Sequence, residues 1–120
     1  MKTDRRENQI NYTEFPSASA AAHAATKKFY GEVFGWSYQE WGPDYSDTKS
    51  SGVVSGLNGS NEHQTAKPLV VLFSSGLEAA RERVVKAGGK ISRDIFSFPG
   101  GRRFHYLDPS GNELGVWSDK

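Results

Sequence analysis

The chain lacks several features that would point to particular classes of protein. None of its 120 residues is cysteine, so it has no disulfide bond and no thiolate nucleophile or thiolate metal ligand. It also has no large excess of one charge, because 15 Lys and Arg residues against 14 Asp and Glu residues give a formal net charge of +1. Such a chain generates little field to attract nucleic acid or an anionic membrane, so neither is an expected partner.

Long hydrophobic runs are absent as well. No segment approaches the roughly 18 consecutive apolar residues that a membrane-spanning helix requires, and the charged start MKTDRRENQ is not followed by the apolar stretch of a secretory signal. We therefore expect a cytoplasmic protein that does not associate with a membrane. The length suits one domain, because at about this size folding buries roughly two-thirds of the surface of the unfolded chain.

The first half of the chain predicts one strand, one helix and then three strands. Residues 1–8 are polar and charged and predict a disordered tail. The helix follows the first strand, ends at Gly35 with that glycine at positive φ, and has an apolar inner face with members three or four residues apart. This predicted inner face is formed by Ala22, Ala25, Phe29 and Val33. The predicted strands are residues 10–15, 36–41, 45–50 and 52–57.

The second half of the chain repeats this order of elements. Its predicted strands are residues 69–73, 90–95, 102–107 and 113–117, and its predicted helix is residues 77–87. The sequence DPSGN at 108–112 joins the last two strands, because Pro109 presets φ near about −65° and Gly111 permits a positive φ. Two copies of strand, helix and three strands predict an α+β fold and constrain its topology more than any single motif.

Two stretches within this repeat resemble a known family. FYGEVFGW at 29–36 and FHYLDPSGNELGVW at 104–117 are similar to the glyoxalase/bleomycin-resistance/dioxygenase family, also called the vicinal oxygen chelate superfamily. The resemblance implies paired βαβββ modules that form a curved mixed sheet around a cup-shaped pocket. It implies one glyoxalase-like domain at 9–118, with module one at about 9–66 and module two at about 67–118. It also implies a homodimer, since each module leaves a strand edge to be covered.

Members of this family include metal-dependent lyases and isomerases, ring-cleaving dioxygenases, thiol transferases and metal-free binding proteins, so the fold does not identify a reaction. Where a metal is used, the resemblance implies ligands of the His, Glu or Gln type on strands. It places Tyr12, Leu69 and Gly115 at three of the four ligand positions, and residues 53–55 near the fourth. Leucine and glycine side chains offer no ligand atom, so we predict no metal site and no cofactor.

The resulting functional prediction is metal-independent binding of a small molecule, aromatic or antibiotic-like. One alternative is a metal-dependent lyase or isomerase of the glyoxalase type with displaced ligands, and another is an interaction module without a ligand. No residue is predicted to be catalytic. The predicted ligand-binding residues are Tyr12, Glu14, Phe73, Arg102, Arg103, Phe104, His105 and Trp117. Their aromatic rings suit a flat organic ligand, and their polar groups suit a few orienting contacts.

Several of these residues have two open interpretations. Glu14 either lies in the cup, where it pairs with Arg102 or Arg103 or has a raised pKa, or lies at the wet end of its strand. The two arginines either hold an anionic ligand group or form a solvated strand end. Strand alternation places Arg103 and His105 on one face and Arg102 on the other, and His105 is either a pocket residue or a hydrogen-bonded residue beside it.

The remaining histidines, His23 and His63, have no partner at metal-ligand spacing in the sequence. His23 falls near the start of the first predicted helix and His63 in a polar loop. We expect both to be surface residues.

Overall fold

The computed structural model describes residues 5–60 and 64–120. The elements are β1 (Ile10–Pro16), α1 (Ala20–Phe34), β2 (Gln39–Glu40), β3 (Tyr45–Thr48), β4 (Val54–Asn58), β5 (Leu69–Phe73), α2 (Leu77–Lys86), β6 (Lys90–Phe98), β7 (Gly101–Leu107) and β8 (Glu113–Ser118). The order is βαβββ twice, with both parallel and antiparallel strand pairs. The predicted α+β fold of paired βαβββ modules is therefore confirmed. In the described part of the chain, no helix is long and apolar enough to cross a membrane.

The described residues divide into two compact units, Tyr12–Leu69 and residues 5–11 with Val70–Lys120. Part of the predicted disordered tail differs from expectation, because the Asn8 amide donates to the Phe73 carbonyl at 2.9 Å and the Glu7 carboxylate accepts from the Ser75 amide. These contacts attach residues 7 and 8 to the end of β5, whereas residues 1–4 lie outside the described range.

The sheet of module one has the strand order β2-β3-β4-β1. β1 runs parallel to β4, with Tyr12 opposite Val54 and Glu14 opposite Gly56, and β3 runs antiparallel to β4. The strand predicted at 36–41 is reduced to β2, because Trp36 stacks on Tyr30 at 4.7 Å between ring centroids instead of extending the ladder.

Helix α1 begins and ends as its sequence predicts. The Ser19 hydroxyl caps it by accepting from the Ala22 amide at 3.1 Å, and Gly35 ends it at φ 73°. The predicted inner face, however, is wrong. Phe29 and Val33 are 54% and 52% exposed, and the buried residue of the helix is His23.

The sheet of module two has the strand order β5-β8-β7-β6, in which β5 runs parallel to β8 and the other pairs are antiparallel. Helix α2 packs on one face of this sheet through a core of four buried residues, Leu77, Ala80, Phe104 and Val116. Burying a ring such as that of Phe104 stabilises the fold by roughly 2 to 3 kcal/mol. The predicted turn at 108–112 forms, with Gly111 at φ 85° and its amide donating to the Asp108 carbonyl.

Candidate functional site

Module one contains a buried hydrogen-bonded group that we call the Glu14 cluster, formed by Tyr12, Glu14, Tyr45 and Asn58. The Tyr45 hydroxyl donates to Glu14 Oε1 at 3.0 Å, and Asn58 Nδ2 donates to Glu14 Oε2 at 3.2 Å. Because the proton of Tyr45 points to the carboxylate, the hydrogen bond between the two tyrosines is donated by Tyr12. Strands β1, β3 and β4 bring these residues to one face, and a β-carbon at Gly56 would overlap both phenol oxygens.

The electrostatics of the Glu14 cluster favour a fixed arrangement of donors. Burial, followed by the negative charge of Glu14, raises the pKa of Tyr45 well above its ordinary value. The Tyr45 phenol therefore stays protonated and remains a donor. Glu14 is buried, so the interpretation that places it at a wet strand end is wrong.

A second polar chain in module one runs through His23, which is 3% exposed rather than on the surface as predicted. Ser46 Oγ donates to Glu40 Oε1 at 3.1 Å, so it accepts from His23 Nε2–H, also at 3.1 Å. His23 Nδ1 is then the acceptor for the Ser17 hydroxyl at 2.8 Å. Lys27 pairs with Glu40 at the outer end of this chain.

The pKa of His23 is lowered, first by burial and then by the positive charge of Lys27, while Glu40 and Asp44 act in the opposite direction. The imidazole is therefore held neutral, in the tautomer that the chain requires. Through these hydrogen bonds, His23 connects Ser17, in the loop before α1, with Ser46 on β3. His63, the other predicted surface histidine, lies outside the described residues.

The face of the module-two sheet opposite α2 carries an aromatic group, which we call the Trp117 cluster. Strand pairing places Trp117 beside both Phe73 and Arg103. The rings of Phe73 and Trp117 meet edge to face at 5.2 Å between centroids, and Trp117 Nε1 donates to Asn11 Oδ1 at 3.1 Å. The cluster also includes the rings of Phe96 and Phe98, which lie on β6.

Arg103 is buried among these rings. Its guanidinium carbon lies 5.3 Å from the ring centroid of Phe96 and 5.9 Å from that of Phe98, within the range of cation–π attraction. Arg103 is therefore not part of a solvated strand end. Its planar group is held in a fixed position beside aromatic surface.

His105 lies on the same face of β7, two residues further along. It is buried, its Nδ1 is 3.4 Å from Glu113 Oε2, and its ring meets Phe96 edge to face at 5.7 Å. Glu113 also accepts from the Ser92 hydroxyl.

Two predicted site residues lie on the other face of module two. Phe104 is fully buried in the core beneath α2. The Arg102 guanidinium donates to Glu78 at the start of α2 and to the carbonyl of Lys120. Because residues alternate between the faces of a strand, neither reaches the face that carries Arg103.

The residues at the family's ligand positions do not fit a divalent metal. The Tyr12 hydroxyl is engaged by Tyr45, Leu69 is a buried apolar residue, and Gly115 lies opposite His105 with no side chain to offer. At the remaining position, the Ser55 hydroxyl is bonded to those of Thr13 and Ser51. Among the described residues there is no group of three or more His, Cys, Asp or Glu side chains that could hold a metal ion.

Several residues of the two clusters were not predicted as site residues. Asn58 ends β4, one residue beyond the strand predicted at 52–57, and Phe96 and Phe98 lie beyond the predicted end of β6 at residue 95. Residues on one face of a regular strand are separated by an even number of positions, but Ile91 and Phe96 are five positions apart. The strand contains register irregularities between Ile91 and Phe96, and these hide the pattern from sequence analysis.

Three solved structures share this fold at low sequence identity. NAD-dependent benzaldehyde dehydrogenase from Legionella pneumophila superposes with a TM-score of 0.73 at 15% identity, over 91% of this chain and 98% of the other. A glyoxalase/bleomycin resistance protein/dioxygenase superfamily member from Vibrio splendidus 12B01 gives 0.67 at 17% identity, over 89% and 96%. Methylmalonyl-CoA epimerase from Mycobacterium tuberculosis gives 0.65 at 11% identity, over 98% and 92%.

Comparison with curated proteins gives no match. The family model for the Glyoxalase/Bleomycin resistance protein/Dioxygenase superfamily, in contrast, matches residues 9–116, which is nearly the whole chain. The matched range begins just before β1 and ends within β8, so it spans both βαβββ modules. The chain therefore belongs to the glyoxalase/bleomycin resistance protein/dioxygenase superfamily.

Proposed function

We propose that this protein binds a small aromatic molecule without a metal ion. The observation that carries the proposal is the Trp117 cluster, in which the rings of Phe96 and Phe98 lie beside the Arg103 guanidinium and Trp117 contacts Phe98 and Phe73. Aromatic surface supplies affinity for a flat ligand by apolar burial, and a few polar groups, here Arg103 and His105, fix its orientation.

The chemistry of the ligand positions supports a metal-independent site. Leu69 and Gly115 have no donor atoms, and the hydroxyl of Tyr12 is used within the Glu14 cluster. Proteins with this fold are named for different reactions, a dehydrogenase and an epimerase among them, so the fold carries no reaction to this chain. Binding of a small molecule is the function that the described side chains can support without a metal ion or another cofactor.

Calorimetric titration in buffer with EDTA tests the proposal. The probes are 2-naphthol, 2-naphthoate and bleomycin, which are a neutral aromatic, an anionic aromatic and an antibiotic. We expect at least one probe to bind with a stoichiometry near one. Phe73→Leu should weaken that binding about fivefold, because one ring contact is worth on the order of 1 kcal/mol.

Phe104→Leu is the matched control, because it makes the same change on the face that packs against α2. It should lower the melting temperature and leave the affinity for the probe unchanged. Absence of binding by all three probes contradicts the proposal in favour of an interaction module. Tightly bound metal in stoichiometric amount, with turnover of a hemithioacetal that EDTA abolishes, contradicts it in favour of a lyase or isomerase.

A further inference from the structure

The first residues that the structure describes fold back against the Trp117 cluster, and we call residues 5–9 the N-terminal strap. The Gln9 amide donates to the Arg6 carbonyl at 3.3 Å and closes a turn, with Asn8 at the third position of that turn at φ 64°. Asparagine tolerates a positive φ better than most residues, so the sequence suits this turn. The strap and the Trp117 cluster belong to the same compact unit.

Glu7 attaches the strap to the end of β5. Its carboxylate accepts from the Ser75 amide at 2.9 Å and from the Ser74 hydroxyl at 3.0 Å. The backbone hydrogen bond from Ser75 is the first cause of the lowered pKa of Glu7, so this side chain is a carboxylate at neutral pH. The Gln9 carbonyl accepts from the Phe73 amide at 3.1 Å. The strap is therefore held beside Phe73, one of the rings of the Trp117 cluster.

Arg5 places a guanidinium over the central ring of the cluster. Its guanidinium carbon lies 5.3 Å from the ring centroid of Trp117, and its Nη1 donates to Asp119 Oδ2 at 2.9 Å. The Trp117 side chain is 3% exposed. A flat ligand stacks on this part of the ring only after Arg5 moves away.

The contacts that hold the strap are of a kind that opens easily. Residues 5–9 are all polar and exposed, so the strap buries little apolar surface of its own. It is attached by an exposed ion pair, one turn and hydrogen bonds at one strand end, and each such contact is weak in water. The core beneath α2 does not depend on any of them.

We propose that the N-terminal strap regulates the aromatic site by competing with the ligand for the Trp117 ring. The inference rests on the proposed function, because it concerns the same site. The ligand binds to the open form, so its observed dissociation constant is the intrinsic constant divided by the fraction of molecules that are open. Arg5 is thus a competitor of the ligand and not one of its contacts.

Calorimetric titration of the full chain with 2-naphthol, 2-naphthoate and bleomycin tests the competition. Arg5→Ala removes the group over Trp117, so a probe should bind about threefold to tenfold more tightly than to the wild type. Glu7→Gln weakens the attachment to β5 and should act in the same direction. Arg81→Ala is the matched control and should leave the affinity unchanged, because Arg81 also pairs with an exposed carboxylate, that of Asp94, but lies on α2 at the opposite face.

Cleavage by trypsin after Arg6, within the strap, reports opening directly. A saturating probe should speed this cleavage at least about threefold relative to the other sites cleaved in the chain, because the displaced strap is accessible. A ligand that only stabilises the folded protein would slow cleavage instead. Glu7→Gln should speed cleavage after Arg6 without any probe.

Two results would overturn the strap and leave the proposed function standing. They are a probe that binds Arg5→Ala no more tightly than it binds the wild type, and cleavage after Arg6 that is slowed by the bound probe. Weaker binding to Arg5→Ala would make Arg5 a ligand contact. Absence of binding to the wild type, Arg5→Ala and Glu7→Gln alike would overturn the proposed function, and the regulation of that site with it.

Discussion

At the scale of single residues, module one satisfies its buried polar groups by connecting them to each other. Glu14 accepts from Tyr45 and Asn58, and His23 connects Ser17 with Ser46. Such groups are costly to bury unless they are paired, and once paired they specify one arrangement of the surrounding strands. The identity of each side chain therefore matters more here than its size.

We expect the free energy of unfolding to fall as the pH is lowered from about 7 to about 5, and His23 to be a cause. Its pKa is lowered in the folded protein, so the unfolded chain takes up the proton first. The stabilisation is present above the ordinary pKa of histidine and is lost as the pH falls through the lowered value. Denaturant unfolding at a series of pH values measures the slope.

In His23→Gln this slope should become smaller, although the variant is already less stable at pH 7 by roughly 1 to 3 kcal/mol because hydrogen bonds are lost. His105→Gln controls for the other buried imidazole. An unchanged slope in His23→Gln would show that protonation of this histidine does not govern the pH dependence.

At the scale of elements, the ends of α1 follow from local chemistry. Ser19 provides a hydroxyl acceptor at the start, and Gly35 adopts the left-handed conformation at the end. Neither feature depends on what the helix packs against. The face that the helix buries does depend on packing, and it contains His23 rather than Phe29 and Val33 of the predicted inner face.

Two glycine substitutions four residues apart should have opposite effects on stability. Gly35→Ala should lower the free energy of unfolding by about 1 kcal/mol, because a β-carbon is disfavoured at φ 73° even though no atom lies within 4 Å of it. Gly31→Ala should raise it by about 0.5 to 1 kcal/mol, because Gly31 is within the helix and its β-carbon would meet only the Trp36 carbonyl oxygen at 3.4 Å.

Thermal or denaturant unfolding of both variants checks this pair. Equal effects of the same sign would contradict the assignment of Gly35 to the helix end.

At the scale of the whole molecule, the two modules share one plan but carry different chemistry. Module one presents a hydrogen-bonded cluster around Glu14, and module two presents aromatic rings around Arg103. Neither cluster has the set of carboxylate and imidazole ligands that a divalent metal requires. The folding of the chain should therefore be independent of metal.

We expect the melting temperature to be the same after EDTA treatment and after addition of Zn²⁺, Ni²⁺ or Mn²⁺. A metal bound only to the folded state, at 100 times its dissociation constant, would add about 2.7 kcal/mol, which is a shift of several degrees for a chain of this size. A shift of that size with one of these ions would contradict the assignment of the ligand positions. Differential scanning calorimetry measures it directly.

The sequence alone determined the number, order and type of the elements. Period-two and helical patterns, Gly35 and the DPSGN turn are local signals, so they identified both βαβββ modules and the family. The sequence also placed Arg103, His105 and Trp117 on strands, and strand alternation separated Arg102 from Arg103. The sequence also showed that Leu69 and Gly115, at two of the family's metal-ligand positions, have no ligand atom in their side chains.

Only the tertiary structure decided which side chains meet. Tyr45 and Asn58 join Glu14 because β3 and β4 are brought beside β1, and Phe96 joins Arg103 because β6 is longer and less regular than its pattern indicates. His23 is buried and hydrogen-bonded to Ser17 and Ser46, whereas Phe29 is about half exposed, against the apolar spacing of the helix. These outcomes depend on contacts between residues far apart in the chain, and a single sequence contains no local signal for such contacts.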